Sequence, residues 1–208
     1  MRQNMQHNSE DWTDRQKDVL NAALHLLVEG KDAPTMADIA RRASCSKESI
    51  YKWFGDRDRF LEAMVRWQAS QVRLVPLSRE RIDFAALFSS LENFAGNWLL
   101  VLSGSTSIAL NRLAIGQGRL GAIVLHNGLF AMAKRLQPLL ELGREAGLLA
   151  FDDFNAVFRS FFGLVVGDLQ IRLLLGDNPV LGAADIARQA HAATQQFFTL
   201  YGVKGDKL

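Results

Sequence analysis

The stretch from Thr35 to Gly55, TMADIARRASCSKESIYKWFG, constrains the fold most, because it holds two apolar-periodic runs of about two turns each. Met36, Ile39, Ala40 and Ala43 mark the first run, Ile50, Trp53 and Phe54 the second, and Ser44, Cys45 and Ser46 the break between them. Helices this short are marginal alone, so neighbouring helices have to fix their mutual angle. Such a pair needs a small residue at the crossing, a tight turn, and an apolar residue that clamps the second helix back. Ala40, Ser44 and Ile50 stand at suitable places, so a helix-turn-helix is expected.

The flanks supply the support. Thr13 with Gln16, and Thr35 with Asp38, have the spacing of capping boxes, and Ser46 and Asp56 read as further N-caps. The first helix buries Leu20, Ala23, Leu24 and Leu27 and stops at Gly30, with Lys31 to Pro34 as a loop. The fourth runs from Asp56 through Phe60, Leu61, Met64, Val65 and Val72 and ends by Pro76. Beyond it the spacing predicts helices near 82–102, 105–116, 119–145, 153–175 and 183–201, separated at Ser103/Gly104, Gly116/Gly118, Gly147 and Gly176 to Pro179. With only four Pro and little strand-like alternation the chain reads as all-α. The expected organisation is a flexible arm over 1–12, a helix-turn-helix domain over 13–76, and, after a linking helix, a helical domain over 77–208.

Composition excludes several classes. Hydrophobic residues at 49% and charged residues at 22% suit a packed core and exclude a disordered or fibrous chain. One Cys leaves no internal disulfide. The polar opening MRQNMQHNSEDWTDR points to a cytoplasmic protein, and the most apolar run, Phe158 to Leu175, contains Arg159, Asp168 and Arg172, charges too costly for an ordinary membrane span. His7, His25, His126 and His191 lack metal-ligand spacing, and no nucleophile-base pair or phosphate loop is legible, so neither a cofactor nor catalysis is expected.

The net charge of +2 says little, but residues 41 to 73 carry a local excess of four positive charges. A basic patch attracts phosphate, although a solvated helix surface has the same composition. With Ile50, Trp53 and Phe54 turned inward, the second helix of the pair presents Lys47, Glu48, Ser49, Tyr51 and Lys52, a hydrogen-bonding face suited to the major groove of double-stranded DNA. Cys45 at the turn reads as an inert thiol rather than a redox sensor, since no second Cys exists to resolve it.

Residues 13 to 73 resemble the N-terminal domain of the TetR/AcrR family of regulators, through Thr35, Ile39, Ala40, Ala43, Ser46, Ile50, Tyr51, Phe54, Arg57 and Phe60 in order without gaps. SIALNRLAIGQG and FRSFFGLVVGDLQIRLLLG resemble the AefR-like C-terminal ligand-binding class of that family. The resemblance implies a transcriptional regulator, a repressor rather than an activator. Tyr51, Trp53 and Arg57 then become phosphate anchors, Lys47 and Ser49 candidates for base edges, and Lys52, Thr35 and Ser46 further members of the DNA-facing set. Three positions depart from the pattern. Ser44 stands where the turn usually has Gly, so a positive φ there would bring strain on the order of 1 kcal/mol; Glu48 replaces another Gly and either accepts from a cytosine amine or repels phosphate; Trp53 replaces His or Tyr.

The remaining expectations concern the second domain. Phe84, Phe88, Leu91, Phe94 and Trp98 form an aromatic stripe that serves first as core. The family implies a pocket for a small apolar effector there, with Phe88, Phe94, Trp98, Phe130 and Phe162 as walls and Asn111, Arg112 and His126 as polar contacts. Gly163 and Gly167, with Ala190 and Phe197 of the last helix, resemble the family's four-helix dimer interface; an internal packing groove is the plain alternative. Asp168 and Arg172 read as an i,i+4 pair. A homodimer would read a near-palindromic operator with half-sites about 34 to 36 Å apart. The rival readings are a protein-interaction adaptor with a degenerate head, kept open by Ser44 and Glu48, and an enzyme using the helical cavity.

Overall fold

The computed structural model describes residues 12–30, 33–177, 179 and 181–203. Arm residues 1–11, Lys31 and Asp32 of the expected loop, and Asn178 of the expected break lie outside the described residues. Those described form eleven α-helices and one π-helical segment, without a strand; Leu149 and Gly202 make an isolated antiparallel bridge. No single helix among them is long and apolar enough to cross a membrane.

The chain divides into two compact units, Met1–Gln71 with Ser105–Leu129, and Val72–Gly104 with Phe130–Leu208. In the first, α1 (Asp14–Glu29), α2 (Met36–Arg42), α3 (Lys47–Phe54) and α4 (Arg57–Ser70) form the head. Thr13 with Gln16 and Thr35 with Asp38 make the capping boxes, and Ser46 and Asp56 cap α3 and α4 through Ser49 N and Arg59 N. Each cap satisfies an orphan N–H that a short helix could not leave bare. Leu20, Ile39, Ile50, Phe60 and Met64 are almost fully buried, Phe54 meets Phe60 edge-on, and Trp53 is half-buried.

The packing divides the chain elsewhere than the linear boundary at 76. Residues α6 (Ser105–Ile115), α7 (Gly118–Val124) and the π-helical Leu125–Leu129 join the head, where Leu110, Ala114, Leu120 and Ile123 complete its core. The reason is area: four short helices leave apolar surface on α1 and α4 that α6 and α7 cover. Trp12, assigned to the arm from sequence, is buried and meets Trp67 at 5.9 Å between ring centroids, with Arg66 over its ring.

In the second unit α5 (Phe84–Ser103) packs on α9 (Phe154–Val166) and α11 (Ala183–Tyr201). Gly143 of α8 (Phe130–Glu145) lets that helix approach α5, since a Cβ there would stand 2.7 Å from Leu87 Cδ2. Two expected helices are interrupted. The stretch 119–145 passes through the π-helical turn, and 153–175 breaks after Val166, where Gly167 adopts φ +53 and ends α9 before α10 (Leu169–Leu174). The periodicity ran through Gly167 because apolar residues continue on both sides. Arg172 pairs with Asp177, not Asp168: its Nη2 lies 2.6 Å from the Asp177 carboxylate across the turn that ends α10.

Candidate nucleic-acid interface

α2 ends in a tight turn that sets the direction of α3. Cys45 N–H donates to Ala40 O at 2.9 Å and Ser44 N–H to Arg41 O at 3.3 Å, the two bonds of a Schellman cap, and Ser44 takes φ 51 as the residue that must be left-handed. Ser44 therefore carries the strain that a positive φ brings to a residue standing where the turn usually has Gly. Cys45 is half-buried beside it.

Along α3 the cap is dense. Ser46 Oγ accepts from Ser49 N–H at 3.1 Å and shares a hydrogen bond of 3.1 Å with Ser49 Oγ. Glu48 folds onto the same helix end: its own backbone N–H, and then the Ser46 hydroxyl, hold its carboxyl below the ordinary carboxylate range. The acid stays ionised where the helix dipole favours it. Thr35 does the same service for α2, donating its hydroxyl to Asp38 at 2.6 Å and lowering that carboxyl in turn. Thr35 and Ser46 are thus caps first, with part of their hydrogen-bonding capacity already used.

Some cations of the head are held by carboxylates and others are not. Arg41 pairs with Asp38 at 2.7 Å, Arg42 with Glu29 at 2.6 Å, and Arg119 with Asp58. Lys47, Lys52 and Arg57 are exposed and, among the described residues, make no ion pair. Tyr51 is 45% exposed on the same helix, an unusual cost for a large ring. Lys47, Tyr51 and Lys52 thus share α3 with Glu48, and Arg57 opens α4 after its Asp56 cap, so exposed cations outside ion pairs gather at one short helix and the start of the next. That arrangement suits a polyanion with a groove wide enough to admit a helix.

Residues 19–64 match the family description "Bacterial regulatory proteins, tetR family", and residues 89–203 match "AefR-like transcriptional repressor, C-terminal domain". A TetR transcriptional regulator from Agrobacterium tumefaciens is 46% identical, with 93% of this chain and 97% of that one covered at a TM-score of 0.79. This chain belongs to the TetR family. A TetR-family regulator from Mesorhizobium loti, 22% identical over 95% of this chain and 100% of its own, has the same fold at a TM-score of 0.72. So does the flavonoid-responsive regulator FrrA, 24% identical over 92% and 98% at 0.67. Among curated proteins nothing matches the chain. As a TetR-family member the protein is a helix-turn-helix transcriptional regulator and not an enzyme, and the family implies an operator and an effector.

The residues named for the effector are divided between the two units. Phe94 and Trp98 are buried in the second unit, where Trp98 also meets Phe158 and Phe162. Phe88 packs elsewhere in that unit, on Phe84, Phe198 and His191. Asn111, Arg112 and His126 belong to the first unit, where Asn111 donates to Ser107 O at 2.8 Å; Phe130 opens α8 and is 51% exposed. Of the residues named for the dimer face, Ala190 and Phe197 are buried within their own unit, Phe197 against Phe161. Gly163 is open: a Cβ there would meet nothing within 4 Å. Sequence reading missed a groove of about 330 Å³ between α5 and α11, lined by Asn93, Gly96, Asn97, Leu100 and Ile186 among others. Helical spacing alone could not find it, because its residues look like ordinary core and surface positions.

Proposed function

We propose that this TetR-family protein is a repressor, in which two heads of a homodimer hold a near-palindromic operator and a small, mostly apolar effector releases them. The observation that carries the DNA part is the exposed set of Lys47, Lys52 and Arg57, outside any ion pair among the described residues and beside exposed Tyr51, while Arg41, Arg42 and Arg119 of the same head are paired. Lys52, Arg57, Tyr51 and Trp53 contact phosphate, and Lys47 and Ser49 reach base edges. Repression is supported by the repressor description of the matching C-terminal domain. The dimer reading draws on open Gly163 and on Ile171, Leu175 and Leu200, which are 63%, 84% and 62% exposed and need cover.

The effector acts by binding the DNA-releasing arrangement more tightly, and shifts the balance only by that differential affinity. The aromatic set Phe94, Trp98, Phe158 and Phe162 supports an apolar ligand in the second unit. The test is selection of duplex DNA from a random pool, followed by release with a panel of apolar aromatics and fatty acids. A selected site with two related half-sites, released by a compound that also changes fluorescence lost on Trp98→Phe, is expected. Recovery of no preferred sequence removes the operator reading.

A further inference from the structure

Ser44 is the one non-glycine residue with positive φ among the described residues. A side chain there meets the crowding that normally reserves this position for glycine. The Schellman bonds occupy the carbonyls of Ala40 and Arg41 and leave those of Ala43 and Ser44 at the end of α2 still to be satisfied. Both receive the same group: Arg15 Nη2, from the first turn of α1, lies 2.7 Å from Ala43 O and 2.7 Å from Ser44 O. A cation at the C-terminal end of a helix is also favoured by the dipole of its carbonyls. The left-handed turn, the orphan carbonyls and a guanidinium 29 residues distant in sequence thus coincide at one point.

We infer that Arg15 is a positioning residue: it bridges α1 to the end of α2, holds Ser44 left-handed without a glycine, and so sets the angle at which α3 meets DNA. The inference rests on α3 being the DNA-reading helix. Arg15 itself touches no DNA in this scheme, and its loss acts through the turn. Ser44→Gly removes the need for it, since glycine takes positive φ without the steric cost.

The test uses the full-length protein as wild type, Arg15→Ala, Ser44→Gly and the double variant. Two readouts are taken: affinity for a selected operator across salt concentrations, and hydrogen exchange of the Cys45 amide, which the turn protects. Arg15→Ala is expected to weaken operator binding by roughly fivefold to thirtyfold, the factor matching one strained left-handed residue, and to speed Cys45 exchange. The salt slope stays unchanged, and Ser44→Gly in that background restores most of both. A slope lower by about 0.9 per head marks Arg15 as a phosphate contact and overturns the inference. Failure of Ser44→Gly to rescue, or unchanged exchange and affinity in Arg15→Ala, overturns it too. If exchange shows loss and rescue while the wild type binds no duplex, the clamp stands and the DNA reading of α3 falls.

Discussion

Asp58 in the first turn of α4 and Arg119 in the first turn of α7 form an ion pair, which balances the acid beside the unpaired Arg57. Arg119→Ala leaves that carboxylate unopposed at the proposed phosphate contact. Anisotropy titrations at low salt should show affinity lowered by about twofold to fivefold, the scale of one charge acting through water, with the difference closing at high salt. The thermal midpoint should hardly move, since exposed pairs contribute at most about 1 kcal/mol. An equal loss at all salt concentrations contradicts the electrostatic reading.

Trp12 is expected to be part of the head rather than of the arm. Trp12→Ala removes its contact with Trp67 and the Arg66 guanidinium over its ring. Denaturant unfolding should show a loss of about 3 to 5 kcal/mol, the range for deleting a buried aromatic. A loss below about 1 kcal/mol means that this ring does not pack in solution.

The dimer face has a clean probe and a confounded one. Gly167→Leu would be strained whatever the quaternary state, because Gly167 lies at φ +53. Gly163 is helical and open, so Gly163→Leu should keep the monomer folded. Light scattering at micromolar concentration should show a dimer for the wild type and a shift toward monomer for Gly163→Leu; a monomeric wild type removes the dimer from the mechanism.

Acid should weaken the α2 cap. The Thr35 hydroxyl holds Asp38 below its ordinary value of 3.8, so the stabilisation is present at neutral pH and is lost as pH falls through the depressed folded-state value. Stability of the wild type and of Asp38→Asn, followed from pH 7 downward, should therefore differ at neutral pH and converge below that window. A difference that persists unchanged into strong acid argues against an ionised Asp38 in the cap.

Local chemistry made the head legible from sequence. Thr13, Thr35, Ser46 and Asp56 announce their helices because a short helix must satisfy its first N–H groups nearby. Long-range pairings were not legible. Arg15 on Ala43 and Ser44, Arg119 on Asp58 and Trp12 on Trp67 join positions whose separation carries no periodic signal. The same limit hides the packing of Ser105–Leu129 on α1 and α4, which chain order does not announce. Arg172 chose Asp177 over Asp168 because α10 ends at a turn that returns Asp177 to it, an event invisible to i,i+4 counting.

The direct test of the DNA interface is operator and scrambled-duplex binding across salt concentrations, for wild type, Arg57→Ala, Lys52→Ala, Lys47→Ala and Ser49→Ala, each checked for folding. Arg57→Ala and Lys52→Ala should weaken both duplexes alike and flatten the log-log salt slope by about 0.9 per phosphate per head, since fewer counterions are released. Lys47→Ala and, less so, Ser49→Ala should relax preference at one base position of each half-site, at roughly 1 to 3 kcal/mol per good contact. A folded Arg57→Ala protein with unchanged affinity and unchanged slope would contradict the placement of α3 and the start of α4 on DNA.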